Sequence, residues 1–257
     1  MTYALITGAS KGIGKAIARE WARRGHHVLL VARSEGALQQ VAADIRNDFK
    51  VEADFLAADL TDPAASERIF EWCQGKGYSI DTLINNAGFG ASGPFDSIPL
   101  AEQLSMMQVN MNALVTLTHL FLPELKRQPK AYLLNIASSA AYQAVPYLSV
   151  YAASKAFVLT FTRGLRHELK GSSVSVTCVC PGATDTDFAS TAQVGEKALK
   201  AADKVNMTPE VVARQAVDAL VAGKPEKITG FINQLGAFLV WLAPKGVAEK
   251  TAAGLYK

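Results

Sequence analysis

The chain has 257 residues, 49% of them hydrophobic and 19% charged, with 26 Lys and Arg against 23 Asp and Glu for a formal net charge of +3. This composition excludes disorder as the main state and suits one large domain or two small ones. The slight basic excess forms no long run, so nucleic acid is not an expected partner. Three cysteines cannot all pair, and Cys178 and Cys180 lie two apart in an apolar stretch where burial is the default, which points to a reducing, cytoplasmic setting. The N-terminus, MTYALITGAS, carries no basic region ahead of an apolar stretch, which argues against a secretory signal.

In chain order, short β-rich runs alternate with longer helical patterns, with no linker, repeat or low-complexity segment between them. Strands are expected at Ala4 to Thr7, Val28 to Ala32, Val51 to Ala57, Thr82 to Asn85, Tyr132 to Ile136 and Val174 to Val179, with a short seventh near Lys227 to Phe231. Most are continuously apolar, as parallel strands covered on both faces are. Helical patterns fall at residues 13–24, 35–48, 63–75, 100–127, 151–170 and 209–222, the last opening on Thr208 as N-cap with Pro209 and Glu210 in its first turn. Right-handed crossovers then give an α/β fold: a single Rossmann-type doubly wound parallel sheet of about seven strands with helices on both faces.

The first strand leads straight into Gly8-Ala9-Ser10-Lys11-Gly12-Ile13-Gly14. Glycines there permit a tight turn and let backbone N–H groups approach a pyrophosphate at a helix N-terminus. The spacing is G-x3-G-x-G, which by itself also suits a plain strand-to-helix turn. After the second strand, where a carboxylate would bind a ribose 2′-hydroxyl, the chain reads Val31-Ala32-Arg33-Ser34, and Lys11 adds a second positive charge. The pair favours NADP(H) over NAD(H), the alternative being that both cations are merely solvated.

Tyr151 and Lys155 lie four apart, one helical turn, and Tyr151 alone of the seven tyrosines has Lys at i+4. A nearby ammonium is expected to stabilise the phenolate, lower its pKa and so make proton exchange with a carbonyl or alcohol feasible. Alone, the pair could equally be a surface contact. Ser138, however, ends the fifth strand 13 positions before Tyr151, Asn85-Asn86-Ala87-Gly88 ends the fourth, and Pro181-Gly182 ends the sixth ahead of Thr184 and Thr186. The carboxyl ends of parallel strands are where open α/β sheets bind ligands.

The segments Thr7 to Gly14 (TGASKGIG), Asp59-Leu60, Asn85 to Gly88, Asn110, Ser138, Tyr151 to Lys155 and Pro181-Gly182 together resemble, in order and spacing over residues 3–190, the short-chain dehydrogenase/reductase family. The resemblance implies Tyr151 as proton donor or acceptor, and Lys155 lowering its pKa while bonding the nicotinamide ribose. It further implies Ser138 holding the substrate oxygen and Asn110 fixing a water that links Lys155 to solvent. Ser139 and Asn112 are the neighbouring alternatives. For the cofactor it implies Gly8, Ser10, Lys11, Gly12, Ile13, Gly14 and Arg33. Asp59 and Leu60 would meet the adenine, Asn86, Ala87 and Gly88 the adenosine ribose side, and Pro181, Gly182 and Thr186 the nicotinamide end. A carbonyl or secondary alcohol substrate and a homodimer or homotetramer are also implied. The competing class is a non-catalytic nucleotide-binding or redox-sensing module of the same fold.

Tyr142, Tyr147 and Phe188 are candidate pocket residues, residues 187–208 a candidate substrate lid, and residues 228–257 a substrate-side or interface extension of the single domain spanning 1–257. Asp185 and Asp187 are expected to N-cap a following helix rather than bind substrate. His26, His27, His119 and His167 lack metal-ligand spacing, so no metal is expected. Between Lys227 and Lys245 there is no charge, and Gly236 to Pro244 is strictly apolar. Polar residues interrupt the wider run, so a membrane span is not expected and a buried helix or substrate lid is, with peripheral membrane contact as the alternative and a lipophilic substrate favoured.

Overall fold

The computed structural model describes residues 1–192, 195, 197, 199–200 and 205–256. Seven strands form: β1 (Thr2–Thr7), β2 (His27–Ala32), β3 (Ala53–Ala57), β4 (Ser79–Asn85), β5 (Ala131–Ile136), β6 (Val174–Cys180) and β7 (Glu226–Ile228). They make one sheet in the order β3-β2-β1-β4-β5-β6-β7, every neighbouring pair parallel. The chain runs outward one way through β2 and β3 and the other way from β4 onward, so the topological switch point lies between β1 and β4, where such sheets open a ligand crevice.

Helices α1 (Gly12–Arg23) and α2 (Glu35–Phe49), with α8 (Pro209–Val221), cover one face; their buried side chains meet those of β1, β2 and β5 around Trp21, Ile17, Leu38 and Leu220. The other face is covered by α3 (Ala65–Gly75), α5 (Ala113–Arg127) and α6 (Ser149–Glu168), packed around Ile69, Leu117, Phe121 and Leu133. Each such fully buried Leu, Ile or Phe contributes about 2 kcal/mol relative to exposure, and apolar strands shielded on both faces explain why the alternation of outward polar residues is absent from the sequence.

Most elements shift by one to three residues from the sequence reading, and three of the differences have a local cause. β3 starts at Ala53 instead of Val51, because Lys50 closes α2 in the left-handed region (φ 57) and Val51 is buried in the turn that follows. β7 stops at Ile228, since Gly230 (φ 78) turns the chain into a helix beginning at Phe231. The span 100–127 is not one regular helix: α4 (Leu100–Met107) passes through a single π-helical turn (Gln108–Asn112) into α5, with the Ala113 N–H reaching back five residues to the Gln108 carbonyl. Such turns re-aim side chains inside a helix.

Beyond β6 lie a short helix α7 (Phe188–Thr191), then α8, whose N-cap Thr208 accepts from the Val211 N–H (3.4 Å). Helices α9 (Phe231–Leu242) and α10 (Lys245–Tyr256) complete the elements among the described residues. Much of the expected lid over 187–208 (residues 193, 194, 196, 198 and 201–204) lies outside the described residues. Among the described residues no helix is long and apolar enough to cross a membrane.

Candidate active site

At the switch point the glycine loop turns through Gly8 (φ 66) and Gly12 (φ 55), both in the left-handed region that favours glycine. A Cβ on Gly14 would collide with the Gly8 carbonyl and the Asn86 amide. The turn is braced from β4: Asn86 Nδ2 donates to the Thr7 (2.9 Å) and Gly8 (3.3 Å) carbonyls, while Thr7 Oγ1 accepts from the Asn86 and Ala87 N–H groups, each at 3.0 Å. Asn86 therefore holds the loop through its side-chain amide. No side chain caps the start of α1, and its first turn holds no acidic residue, so its N-terminal N–H groups and positive dipole end face the crevice as an anion site. Across that crevice a Cβ on Gly12 would stand 3.2 Å from Thr186 Cγ2, which places the loop after β6 opposite the glycine loop. This cradle fits a dinucleotide pyrophosphate.

Ser10 and Ile13 are half-buried in the same loop, and Ile13 also packs on the α1 side of the core. At the neighbouring strand ends, Arg33 is exposed after β2, and Asp59 is exposed after β3, accepting the Thr61 N–H at 3.0 Å, while Leu60 is buried beneath it. Lys11 departs from expectation. Its Nζ pairs with Asp187 Oδ2 at 2.9 Å, on the β6 side of the loop and so across β1 from Arg33. Arg33 is left as the cation at the β2 end, and Asp187 is an ion-pair partner as well as the residue whose carbonyl accepts the Thr191 N–H (2.9 Å).

Ser138, Tyr151 and Lys155 come together where β5 ends and α6 begins. Tyr151 sits in the first turn of α6 and is 8% exposed; Lys155, one turn on, is 5% exposed and donates from Nζ to the Ile136 carbonyl at 2.9 Å. Its ammonium lies 5.9 Å from the centre of the Tyr151 ring. Ser138 Oγ accepts the Ala140 N–H (3.1 Å) that starts a 3-10 turn over Ser139–Tyr142, which leaves its own O–H able to donate. Burial pushes the Tyr151 phenol up to about 12, with the Ser138 hydroxyl acting in the opposite direction, and burial pulls Lys155 down to about 8. The expected lowering of the Tyr151 pKa by Lys155 is thus reversed in this structure: the phenol is enclosed in apolar surroundings, and the ammonium is turned toward a backbone carbonyl.

Asn110 occupies the π-helical turn. Its Oδ1 accepts the Phe89 N–H (3.1 Å), and its Nδ2 donates to the Phe89 carbonyl and to Ser154 Oγ, both at 3.0 Å. Ser154 in turn donates to the Tyr151 carbonyl (2.7 Å). The carboxamide therefore ties the β4 loop to α6. Gly88 faces this knot, since a Cβ there would lie 3.0 Å from Asn110 Oδ1 and 3.1 Å from Lys155 Nζ. Asn112 points elsewhere, donating to Gln108 Oε1 (2.9 Å). The Ser139 N–H donates to the Pro181 carbonyl (2.7 Å), joining the β5 and β6 loop ends, while Gly182 has no room for a Cβ beneath Asn233 of α9.

Of the three pocket candidates, Phe188 lies against the Tyr151 ring (centroids 5.1 Å apart), and Tyr147 adopts φ 66 with its carbonyl accepting the Gly93 N–H (2.8 Å). Tyr142 turns away: its hydroxyl donates to Glu226 Oε1 on β7 (2.5 Å), and its ring packs with Cys178, Cys180 and Ile228. Both cysteines are buried, their sulfurs 4.0 Å apart. His26 stacks on Trp21, and His27 Nδ1 accepts the Glu52 N–H (2.9 Å). Sequence reasoning missed Ser154, Asn233 and Tyr256. Tyr256, near the chain's end, packs with Ala252 into the cluster holding Tyr151, Phe89 and Phe188, and its phenol helps raise that of Tyr151. Only the spacing of Ser154, one residue before Lys155, carried any signal.

Comparison with known proteins agrees with this geometry. Residues 2–197 match the family model described as short chain dehydrogenase. The chain is 33% identical over 246 residues to the very-long-chain 3-oxoacyl-CoA reductase of Anas platyrhynchos, covering 93% of this chain and 74% of that one. It is 36% identical over 183 residues to the corresponding reductase-A of Danio rerio, covering 70% of this chain and 57% of that one. A short-chain dehydrogenase from Sphingobium yanoikuyae, solved in complex with NADPH, superposes with a TM-score of 0.82 at 30% identity, covering 94% of this chain and 95% of that one. With the sheet order, the glycine cradle and the Ser138, Tyr151 and Lys155 cluster, these matches show that the chain belongs to the short-chain dehydrogenases, a family of oxidoreductases.

Proposed function

We propose that the protein is an NADP(H)-dependent reductase that converts a lipophilic carbonyl, such as a ketone or 3-oxoacyl group, to a secondary alcohol. The observation that carries the reading is the convergence of Ser138, Tyr151 and Lys155 on the strand end beside the glycine cradle. The cofactor would lie along Gly8 to Gly14, with Arg33 at its 2′-phosphate, Asp59 and Leu60 at the adenine, Ala87 and Gly88 along the ribose, and Pro181, Gly182 and Thr186 toward the nicotinamide. When bound, the nicotinamide supplies the hydride.

The chain's own residues orient the carbonyl and deliver the proton. Ser138 O–H donates to the substrate oxygen, and the Tyr151 O–H, kept protonated by burial, transfers its proton to that oxygen as the carbonyl carbon is reduced. Lys155 stands beside the phenol to stabilise the phenolate left behind. Asn110 acts as a positioning residue, holding the Phe89 backbone and, through Ser154, the helix that carries Tyr151. Phe188 and Tyr256 supply apolar walls against the reacting group, consistent with a lipophilic substrate and with the 3-oxoacyl-CoA reductases among the relatives. The exposed apolar side chains Leu100, Leu104 and Phe157 on α4 and α6 suit self-association as a dimer or tetramer.

The test is NADPH consumption over a panel of ketones and 3-oxoacyl thioesters. Tyr151→Phe is expected to lower kcat by about 10²- to 10⁴-fold, the usual contribution of a positioned proton donor, while NADPH Kd changes little. Retained turnover in that variant would overturn the assignment.

A further inference from the structure

Helix α9 has no buried residue, although ten of its twelve positions are apolar or glycine. Phe231 and Trp241, near its two ends, are 77% and 78% exposed, Ile232, Leu235, Phe238 and Leu239 are exposed between them, and so is Leu242 at the C-terminal end. At about 100° per residue, the exposed positions sweep an arc of about 220°, and only Asn233, Ala237 and Val240 are turned toward the protein. Gln234, within that arc, has its Nε2 tied back to the Ile228 carbonyl (3.0 Å). An apolar arc this wide calls for a cover over most of the helix surface, as a protein core or a lipid phase provides.

Charge selects the medium. Residues 224–257 hold five lysines (Lys224, Lys227, Lys245, Lys250 and Lys257) against two glutamates. One of the two, Glu226, accepts from Tyr142 and lies 3.6 Å from Arg163. Lysines thus bracket the uncharged helix on both sides, complementary to an anionic headgroup layer, each worth about 1 kcal/mol near such a surface. The twelve residues of α9 span about 18 Å, too short to cross a hydrocarbon core of about 30 Å, so the helix would lie in the interface plane with aromatic residues near both ends. We propose that α9 docks the protein on the surface of an anionic lipid bilayer. Because Asn233, on the opposite side of α9, packs over Gly182 in the loop after β6, docking would bring the active-site end of the sheet to the membrane, where a lipophilic substrate is concentrated.

The full chain is mixed with phosphatidylcholine vesicles and with vesicles of equal parts phosphatidylcholine and phosphatidylglycerol, then floated on a density gradient. Binding to the mixed vesicles is expected to exceed binding to phosphatidylcholine at least tenfold, to weaken with salt, and to blue-shift Trp241 fluorescence. Leu239→Glu with Trp241→Glu should lower that binding at least tenfold and leave circular dichroism and the thermal midpoint unchanged, since both side chains are exposed. Phe95→Glu, at another exposed apolar site, should leave binding intact. Failure to bind the mixed vesicles, or equal loss in the Phe95→Glu control, overturns the proposal. So does a dimer in sedimentation velocity that the double substitution breaks without any vesicle binding, which would assign the face to a second copy. Vesicle binding is read without turnover, so it stands or falls separately from the reductase reading.

Discussion

Lys155 has its ammonium in a buried site, where its pKa falls to about 8 from 10.5. Between those values the unfolded chain holds a proton that the folded chain has released, so folding is favoured as pH rises from 8 to 10.5, and below 8 the full cost of burying the charge is present. That cost is on the order of 3 kcal/mol at 1.36 kcal/mol per unit. Lys155→Met removes it: urea unfolding at pH 7.5 and 9.5 should show the native chain gaining stability relative to the variant at the higher pH, and parallel curves would contradict the assignment. Arg33 makes a comparable single-residue prediction. With Lys11 engaged by Asp187 on the far side of the loop, Arg33→Ala should lower NADPH affinity by about 10- to 100-fold and leave NADH affinity nearly unchanged, as the loss of one charge-assisted contact would, whereas Lys11→Ala should do much less. Binding titrations with both cofactors decide it.

At the level of elements, α6, which carries Tyr151 and Lys155, is held by the interruption of another helix. The π-helical turn between α4 and α5 aims Asn110 at the Phe89 backbone and Ser154, and all three partners are satisfied through one carboxamide. Asn110→Leu, similar in size, would leave the Phe89 N–H and carbonyl without partners while Ser154 keeps its bond to the Tyr151 carbonyl, at about 1 to 3 kcal/mol per orphaned group, so a loss of at least 2 kcal/mol in urea unfolding is expected along with reduced kcat. The glycine loop is equally constrained: Gly14→Ala should abolish cofactor binding, because the added methyl meets the Gly8 backbone carbonyl and not a flexible side chain. This loop was legible from residue types alone, since Gly8, Gly12 and Gly14 fall within one turn. The π-helical turn was not, because residues 100–127 keep helical apolar spacing throughout and the extra backbone step leaves no trace in it.

For the molecule as a whole, the active site is closed by the chain's far end. Ala252 and Tyr256 of α10 pack with Phe89, Phe188 and Tyr151. Tyr256→Ala should therefore raise KM for a lipophilic ketone about tenfold, the loss of an apolar wall, with NADPH affinity unchanged. Steady-state kinetics and a separate cofactor titration would distinguish this from general disruption, which would move both.

The sequence alone determined the α/β class, the strand positions to within a few residues, the glycine turn and the meeting of Ser138, Tyr151 and Lys155 where β5 ends and α6 begins, because each depends on periodicity, glycine placement or spacing within one element and its neighbour. Tertiary structure alone decided the rest. Lys11 and Asp187 are 176 positions apart, and Tyr142 and Glu226 are 84 apart, so no local pattern could pair them. The upward shift of the Tyr151 phenol likewise arises from enclosure by Phe188 and Tyr256, residues distant in the chain. The apolar run after Lys227 reads in sequence as a buried helix or lid, and the structure overturns the buried reading, since no residue of α9 is buried. Its exposure follows from where Gly230 turns the chain, setting α9 on the rim of the sheet with little but Asn233, Ala237 and Val240 facing inward.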